Sequence, residues 1–258
     1  MFGAIAGDII GSVHEGGAAQ SKAFSLFTSA SRFTDDSVMT VAVASALRQG
    51  EDYVTALRRW GQRYPDAGYG GMFQRWLSMD DPRPYHSFGN GAAMRVSPIG
   101  WAFEALDDVL AAARRSAEVT HNHPEGIKGA QAVAGAVWLA RHGGSKNQIR
   151  QLFTERFGYD CSASLTQLRK HSYFDVTCQG TVPAAAVAFL EAEDIEDAIR
   201  NAVSLGGDAD TLACIAGALA QAYYGKVSDS IRQEVIARLD PPLRHELEFF
   251  TQCYGGSD

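Results

Sequence analysis

Residues 206–217 read GGDADTLACIAG, and the small and apolar residues that follow continue to Gly225. This run is typical of a buried helix that begins directly after a Gly-Gly turn. The carboxylates of Asp208 and Asp210 and the hydroxyl of Thr211 therefore lie at a helix N-terminus. We expect these oxygen donors at the edge of a buried core.

A second acidic helix start lies far upstream, where Thr34-Asp35-Asp36-Ser37 precedes the helical segment 38–47. Either group alone is explained by capping, because Thr, Asp and Ser satisfy free amides and acidic residues complement the helix dipole. One aspartate is enough for a cap, however, and neighbouring carboxylates repel each other unless a cation lies between them. The small residues around both groups indicate close packing, in which a buried carboxylate needs a partner. Together the two groups favour a metal site.

The charge and chemistry of these residues indicate the number and type of ions. If Asp35, Asp36, Asp208 and Asp210 converge, their negative charges are neutralised by two divalent cations and not by one. The donors are carboxylates and the hydroxyls of Thr34 and Thr211, with no His or Cys at ligand spacing, which favours Mg²⁺ or Mn²⁺ over Zn²⁺. Pairs of such ions about 3.5–4 Å apart are a recurring hydrolytic device. The sequence therefore predicts a binuclear metal site.

The composition is that of an ordinary globular protein. Its 258 residues are 46% hydrophobic and 21% charged, and without a visible linker we expect a single domain over residues 1–258. The net charge of −7 argues against nonspecific binding to nucleic acid. No apolar run is long enough to cross a membrane, and the four widely spaced cysteines indicate reduced thiols in the cytoplasm.

The N-terminal segment 2–13 is predicted to be a helix that another helix approaches closely. Glycine recurs there at every fourth position, at Gly3, Gly7 and Gly11. Within this helix we expect a structural role for Asp8, which would hydrogen-bond neighbouring backbone. Glu15 follows on a glycine-flanked loop, outside both acidic groups, and is freer to meet a ligand. The turn-rich residues 16–33 suit a mobile flap over the site.

Another glycine-rich stretch, Ser87-Phe88-Gly89-Asn90-Gly91, precedes a helix predicted from about residue 92. Glycines with positive φ on both sides of the asparagine would let backbone amides face an anion, and the helix would direct its positive end the same way. The stretch matches neither the Walker A pattern nor the dinucleotide-binding glycine pattern, so phosphate binding and a plain loop both stay open.

Helical periodicity dominates the rest of the chain, and strand signals are scarce. After a helix over 34–48, we predict helices over residues 51–62, 72–79, 107–118, 127–141, 148–157, 182–191, 196–203, 212–224 and 229–239. A loop at 120–126 carries His121 and His123, residue types that hydrogen-bond in such loops more often than they bind metal. The pattern predicts an all-α fold in a single compact domain.

Together these motifs resemble those of the ADP-ribosylglycohydrolase family, which includes the enzyme that releases ADP-ribose from dinitrogenase reductase. The resemblance covers nearly the whole chain, in family order. The matching stretches are 7–11 with Glu15, 34–36, 89–95, 120–121 and 206–211. The family usually has threonine where this chain has Ala209, a position that is not one of the matched ligands.

The resemblance implies an all-helical fold with two Mg²⁺ or Mn²⁺ ions. The implied metal ligands are Thr34, Asp35, Asp36, Asp208, Asp210 and Thr211. The implied catalytic residues are Glu15, Asp35 and Asp36, and the implied substrate-binding residues are Ser87, Phe88, Gly89, Asn90, Gly91 and His121. Residues 87–91 would hold the diphosphate, Phe88 would lie by the adenosine, and Glu15 and His121 would line the scissile end.

The reaction implied is hydrolysis of the bond between C1″ of ADP-ribose and an acceptor, either an arginine nitrogen or a serine or other oxygen. The partner would be an ADP-ribosylated protein or small molecule, or ADP-ribose itself. Metals can fix the ribose hydroxyls and a water, while Glu15 donates or accepts a proton. Three alternatives stay open: a nucleotide phosphohydrolase that would release AMP, a noncatalytic ADP-ribose-binding protein, and an immunity protein that blocks a toxin.

Overall fold

Fifteen α-helices and one turn of π-helix form the regular structure of residues 1–19, 21–171 and 173–255, the part that this computed structural model describes. The α-helices are α1 (Phe2–Gly11), α2 (Asp35–Gln49), α3 (Tyr53–Arg63), α4 (Gly71–Ser78), α5 (Gly91–Met94), α6 (Ser97–Ala102), α7 (Leu106–Glu118), α8 (Pro124–Arg141), α9 (Lys146–Gln151), α10 (Leu165–Lys170), α11 (Cys178–Leu190), α12 (Ile195–Val203), α13 (Ala209–Tyr224), α14 (Asp229–Arg238) and α15 (Pro241–Tyr254). The π-helical turn is Leu152–Arg156. Those residues form no strand, only one isolated bridge between Gly89 and Thr177, so the predicted all-α fold is confirmed.

Helix α13 lies at the centre of the fold. All of its residues from 209 to 220 are buried, and it packs against α1, α8, α11 and α12. It begins at Ala209, directly after the Gly-Gly turn, and therefore three residues earlier than the periodicity predicts. Asp210 and Thr211 are thus part of its first turn.

The glycine stripe of α1 faces α13, as expected. A Cβ on Gly7 would lie 2.0 Å from the carbonyl oxygen of Ala213, and one on Gly3 would lie 2.2 Å from that of Gly217. The two helices run antiparallel, because the next glycine of the stripe faces Asp210 at the start of α13. The close approach brings the C-terminal half of α1 to the acidic helix start.

Three helices of the described chain, α6, α10 and α15, were not among those predicted. Two of them are only six residues long, too short for periodicity to be informative. The third carries recognisable signals: Asp240 accepts a hydrogen bond from the amide of Leu243, and prolines occupy the first turn. Its apolar residues Leu243, Leu247 and Phe250 are buried against the core.

A single cluster of buried apolar side chains includes residues from Met1 to Phe250 and so draws on both ends of the chain. No helix among the described residues is long and apolar enough to span a membrane.

Candidate active site

The two acidic helix starts meet at one place. Carboxylate oxygens of Asp8, Asp36 and Asp210 lie within 4.8 Å of one another, and so do those of Glu15, Asp208 and Asp210. Asp210 belongs to both groups, and the hydroxyl of Thr211 donates to Asp36 at 3.2 Å. The structure therefore brings the N-termini of α2 and α13 together around a shared carboxylate.

At the start of α2, Asp8 organises the backbone. Its carboxylate accepts hydrogen bonds from the amide and hydroxyl of Thr34, at 2.9 and 2.6 Å, and from the amide of Ser37, at 3.1 Å. The hydroxyl of Ser37 also donates to it. Thr34 itself caps the helix by accepting from the amide of Asp36 at 3.3 Å. These bonds account for a structural role for Asp8 while placing it against the acidic site.

At the start of α13, the chain turns through two glycines with positive φ, 73° at Gly206 and 68° at Gly207. Gly207 exchanges backbone hydrogen bonds with the segment after α1: Gly16 donates to its carbonyl at 2.7 Å, and it donates to the carbonyl of Gly17 at 2.9 Å. A Cβ on Gly206 would lie 2.6 Å from the backbone of Ala18. The turn therefore requires glycine and fixes the residues next to Glu15.

Glu15 lies outside both acidic stretches of the sequence, but in the fold its carboxylate is not isolated. The paired backbone brings its carboxylate within 4.8 Å of Asp208 and Asp210. The negative charge of Asp210 raises the pKa of Glu15, partial burial raises it further, and Arg32 opposes both. Of the segment 16–33 that was expected to be a mobile flap, Gly16 and Gly17, directly after Glu15, are held by their backbone hydrogen bonds with Gly207, and Gln20 lies outside the described residues.

The aspartates of the site lack compensating positive charge. Burial and then the charge of Asp210 raise the pKa of Asp8 from 3.8 to about 7. The same two causes, in the same order, raise the pKa values of Asp35, Asp36 and Asp208 well above the usual range. In the described part of the chain no lysine or arginine forms an ion pair with any of them.

One fully buried carboxylate oxygen of the site has no hydrogen-bond partner among the described residues. Asp36 Oδ1 is buried and unsatisfied among the described residues, an arrangement that costs free energy unless a ligand completes it. Carboxylate and hydroxyl oxygens are the ligand types that Mg²⁺ and Mn²⁺ prefer. The residues present therefore fit divalent ions, and Asp8, whose oxygens are already occupied by four donors, is the least available of them.

The acidic residues form the floor of a cleft of about 650 Å³, a size usual for a small-molecule site. One wall contains Ser87, Gly89, Asn90, Gly91 and His121, with Phe174 and Val176 beside them. The loop before α4, through Asp66, Ala67, Gly68 and Gly70, and the first residues of α4 also line the cleft. Glu15, Arg32, Thr34, Asp35, Asp36, Asp208, Asp210 and Thr211 also line the cleft.

The loop at 87–91 is built differently from the expected amide cradle. Neither Gly89 nor Gly91 has a positive φ, and the amides of Gly89 and Asn90 already donate, to Ser87 Oγ at 3.1 Å and to the carbonyl of Val176 at 2.8 Å. The Asn90 side chain donates to Asp208 at 2.5 Å. A Cβ on Gly91 would lie 3.1 Å from His121 Nε2, so glycine is needed there for close packing rather than for φ.

His121 is buried at the cleft. Burial and the nearby Arg95 guanidinium hold the pKa of its imidazole well below the usual range. Its Nδ1 lies 2.7 Å from the hydroxyl of Thr120, which accepts a hydrogen bond from Arg95 at 2.9 Å. The other ring nitrogen faces the glycines of the 87–91 loop.

Phe88 is not part of the cleft wall. Its side chain is 47% exposed and lies edge-on to His123, with ring centroids 5.4 Å apart. Phe174, 54% exposed, lines the cleft instead, and no sequence pattern distinguishes it. The sequence patterns did not place Asp8 in the acidic site. Its position next to Gly7, in the glycine stripe of α1, is the one sequence feature that indicates it.

Comparisons with known proteins agree with this geometry. The sequence model of the ADP-ribosylglycohydrolase family matches residues 1–253. Human ADP-ribosylhydrolase ARH3 is 31% identical over 262 residues, which cover 77% of this chain and 72% of that protein. ADP-ribosylarginine hydrolase Tri1 of Pseudomonas putida is 28% identical over 228 residues, covering 76% of this chain and 60% of that protein.

Among solved structures, an ADP-ribosylglycohydrolase-related protein complex contains a chain with a TM-score of 0.72 and 27% sequence identity. The match covers 96% of this chain and 92% of that one. Sequence and fold thus agree over almost the full length, including both acidic helix starts. The chain belongs to the ADP-ribosylglycohydrolase family and is a glycosyl hydrolase of that family.

Proposed function

We propose that this protein hydrolyses the bond between C1″ of ADP-ribose and an acceptor, with two Mg²⁺ or Mn²⁺ ions at the acidic floor of the cleft. The observation that carries the proposal is the pair of carboxylate groups that share Asp210. The ligands we propose are Thr34, Asp35, Asp36, Asp208, Asp210 and Thr211. When bound, the ions would neutralise the carboxylates and supply positive charge for the ribose hydroxyls and an attacking water.

The residues of the cleft divide the substrate between them. We assign the diphosphate and adenosine to the wall that contains Ser87, Gly89, Asn90, Gly91 and His121, and the terminal ribose to the floor. A neutral His121 can donate or accept a single hydrogen bond there without adding charge. Phe88 would reach the adenosine only beyond the cleft rim, where its exposed ring is free to stack.

Glu15 is the proposed proton-transfer residue. It is exposed, unlike the buried aspartates beside it, and it lies at the cleft. Bound cations would counter the repulsion from Asp210 that raises its pKa, leaving the carboxylate ionised and able to accept a proton from water. Asp35 and Asp36 are proposed to act on the reaction through the ions they hold.

The relatives indicate the class of acceptor. The relatives are named as an ADP-ribosylhydrolase and an ADP-ribosylarginine hydrolase, which supports an ADP-ribosylated protein or small molecule as the substrate class. We propose that residues 1–258 form one domain, because one cluster of buried apolar side chains includes residues from Met1 to Phe250. We also propose a cytoplasmic location, because all four cysteines are free thiols, as is usual in a reducing compartment.

The test is to incubate the protein with arginine- and serine-ADP-ribosylated peptides in the presence of Mg²⁺ and to follow the products by mass. We expect free ADP-ribose from at least one peptide and none in the presence of a chelator. Release of AMP instead would identify a phosphohydrolase. Tight binding of ADP-ribose with no product from any acceptor would indicate a binding or immunity protein. Asp80→Ala, at an exposed position outside the cleft, is the control for substitutions of the site aspartates and should release ADP-ribose as the wild type does.

A further inference from the structure

Asp35 differs from the other aspartates of the site in how it is held. Asp8, Asp36 and Asp208 each accept a hydrogen bond from a side chain, donated by Thr34, Thr211 and Asn90 respectively, and Asp210 accepts one from the backbone amide of Thr211 at 2.9 Å. In residues 1–19, 21–171 and 173–255, no side chain donates to Asp35, and it joins neither carboxylate group. A proposed metal ligand is thus left without a donor to orient it.

A donor without an acceptor lies beside it. The Tyr69 side chain is only 4% exposed, and its hydroxyl has no hydrogen-bond partner in the described chain. The preceding residue, Gly68, contacts Asp35: a Cβ there would lie 3.5 Å from Asp35 Oδ1. Burial first, and then the charge of Asp35, raise the pKa of the Tyr69 hydroxyl.

The other possible roles of this hydroxyl are less well supported. Tyr64 also lies near it, but its own hydroxyl already binds both oxygens of Asp240, at 2.8 and 2.7 Å. Tyr69 does not line the cleft, unlike Gly68 and Gly70 on either side of it, so it does not meet substrate directly. Its ring packs on Phe73, with centroids 5.3 Å apart, which fixes the direction of the side chain.

We propose that Tyr69 is a positioning residue for Asp35: its hydroxyl donates a hydrogen bond to the Asp35 carboxylate once that carboxylate binds a divalent ion. The inference rests on the proposed function, in which Asp35 is a metal ligand. A hydrogen bond to a ligating carboxylate fixes its orientation, and loss of such a bond costs about 10–100-fold in metal affinity or activity. The buried hydroxyl would then be satisfied only in the loaded protein, which couples this loop to metal binding.

The test compares Tyr69→Phe with Tyr159→Phe. Tyr159 is also 4% exposed, and its hydroxyl is also buried without a partner, but it lies outside the cleft, under Lys128, whose Nζ is 4.6 Å from its ring centroid. Calorimetric titration with MnCl₂ alone and kcat and KM with Mg²⁺ are measured for both variants. We expect Tyr69→Phe to weaken Mn²⁺ binding and lower kcat by about 10-fold or more, with little change in KM.

The melting temperature of the metal-free protein separates this from a structural role. Removing an unsatisfied buried hydroxyl should leave it unchanged or raise it in both variants. In an Asp35→Asn background, adding Tyr69→Phe should cause no further loss of Mn²⁺ affinity. If Tyr69→Phe matches Tyr159→Phe in affinity and kcat, the inference is overturned while the proposed function stands. A wild type that binds no Mn²⁺ would overturn both.

Discussion

The starts of α2 and α13 carry the same kinds of residue but solve the problem of a helix N-terminus differently. At α2, Thr34 provides the cap, and both following aspartates are free of that task. At α13, the residue in the cap position is Asp208, yet its side chain makes no capping bond. Its carboxylate instead accepts a hydrogen bond from the side-chain amide of Asn90. The chain reaches this geometry through two glycines with positive φ.

The difference shows that capping does not account for the acidic residues at either helix. A conventional cap would use a carboxylate to satisfy amides in the first turn, whereas here the carboxylates face one another across the two helices. Burial, and then the negative charge of Asp210, raise the pKa values of Asp36 and Asp208, a cost that a purely structural arrangement would avoid. The site is therefore organised for a cationic ligand.

The largest expected effect concerns the residue that both helix starts share. Asp210→Asn should remove both metal ions and lower kcat by about 10³-fold, the scale of losing several kcal/mol of charge stabilisation. Asp36→Asn and Asp208→Asn, each in one group only, should each remove one ion. Calorimetry with Mn²⁺ gives the number of ions. Two ions still bound to Asp210→Asn would show that the groups do not share this ligand.

The next largest effect concerns Glu15, whose carboxylate lies with those of Asp208 and Asp210 at the start of α13. Glu15→Gln should lower kcat by about 10²-fold, as for general acid–base residues, while metal and ADP-ribose binding are retained. Asp66→Asn is the control, because Asp66 also lines the cleft but belongs to neither carboxylate group. Steady-state kinetics with the better peptide substrate supply the measurement, and full activity of the Glu15 variant would remove this residue from the mechanism.

A smaller effect is expected at the turn that distinguishes the two helix starts. Gly206→Ala should lower the free energy of unfolding by more than the roughly 1–2 kcal/mol of a left-handed backbone, because its Cβ would also lie 2.6 Å from Ala18. Gly50 has a similar φ, 64°, and a Cβ there would have nothing within 4 Å. Gly50→Ala should therefore lower the free energy of unfolding only by the cost of the left-handed backbone. Chemical denaturation compares them, and equal losses would mean that the Ala18 contact adjusts without cost.

The smallest effect is a dependence of stability on pH that metal should remove. Because folding raises the pKa of Asp8 from 3.8 to about 7, the folded protein holds more protons than the unfolded chain between these values. The metal-free protein should therefore lose free energy of unfolding as the pH rises through this range.

Melting temperatures at about pH 5 and about pH 8 test this sign. With a chelator the value should be lower at the higher pH, and Asp8→Asn should reduce the difference. With saturating Mg²⁺ the difference should largely disappear. A chelated protein that melts at the same temperature at both pH values would show that the aspartates do not titrate in the expected window.

The sequence alone determined the fold class and the two acidic helix starts. Apolar periodicity, the glycines of α1 and the turn at 206–207 are local or regularly spaced signals, so they can be read without coordinates. Helices α6 and α10 are only six residues long, too short to show a repeating apolar pattern, whereas the start of α15 is marked by the Asp240 cap and the prolines of its first turn. The prediction that the glycines of the 87–91 loop have positive φ is wrong. Glycine is required at position 91 because a Cβ there would crowd His121, which lies 30 residues further along the chain.

Only the tertiary structure decided which residues meet at the site. Asp8 lies close to Asp210 because α1 and α13 pack so closely that only glycine fits between them. Glu15 lies close to it because Gly207 forms backbone hydrogen bonds with Gly16 and Gly17. Both contacts join positions about 200 residues apart, and no local pattern encodes such a pairing. The raised pKa values depend on the same convergence, since burial and a neighbouring charge arise only when the helices have packed.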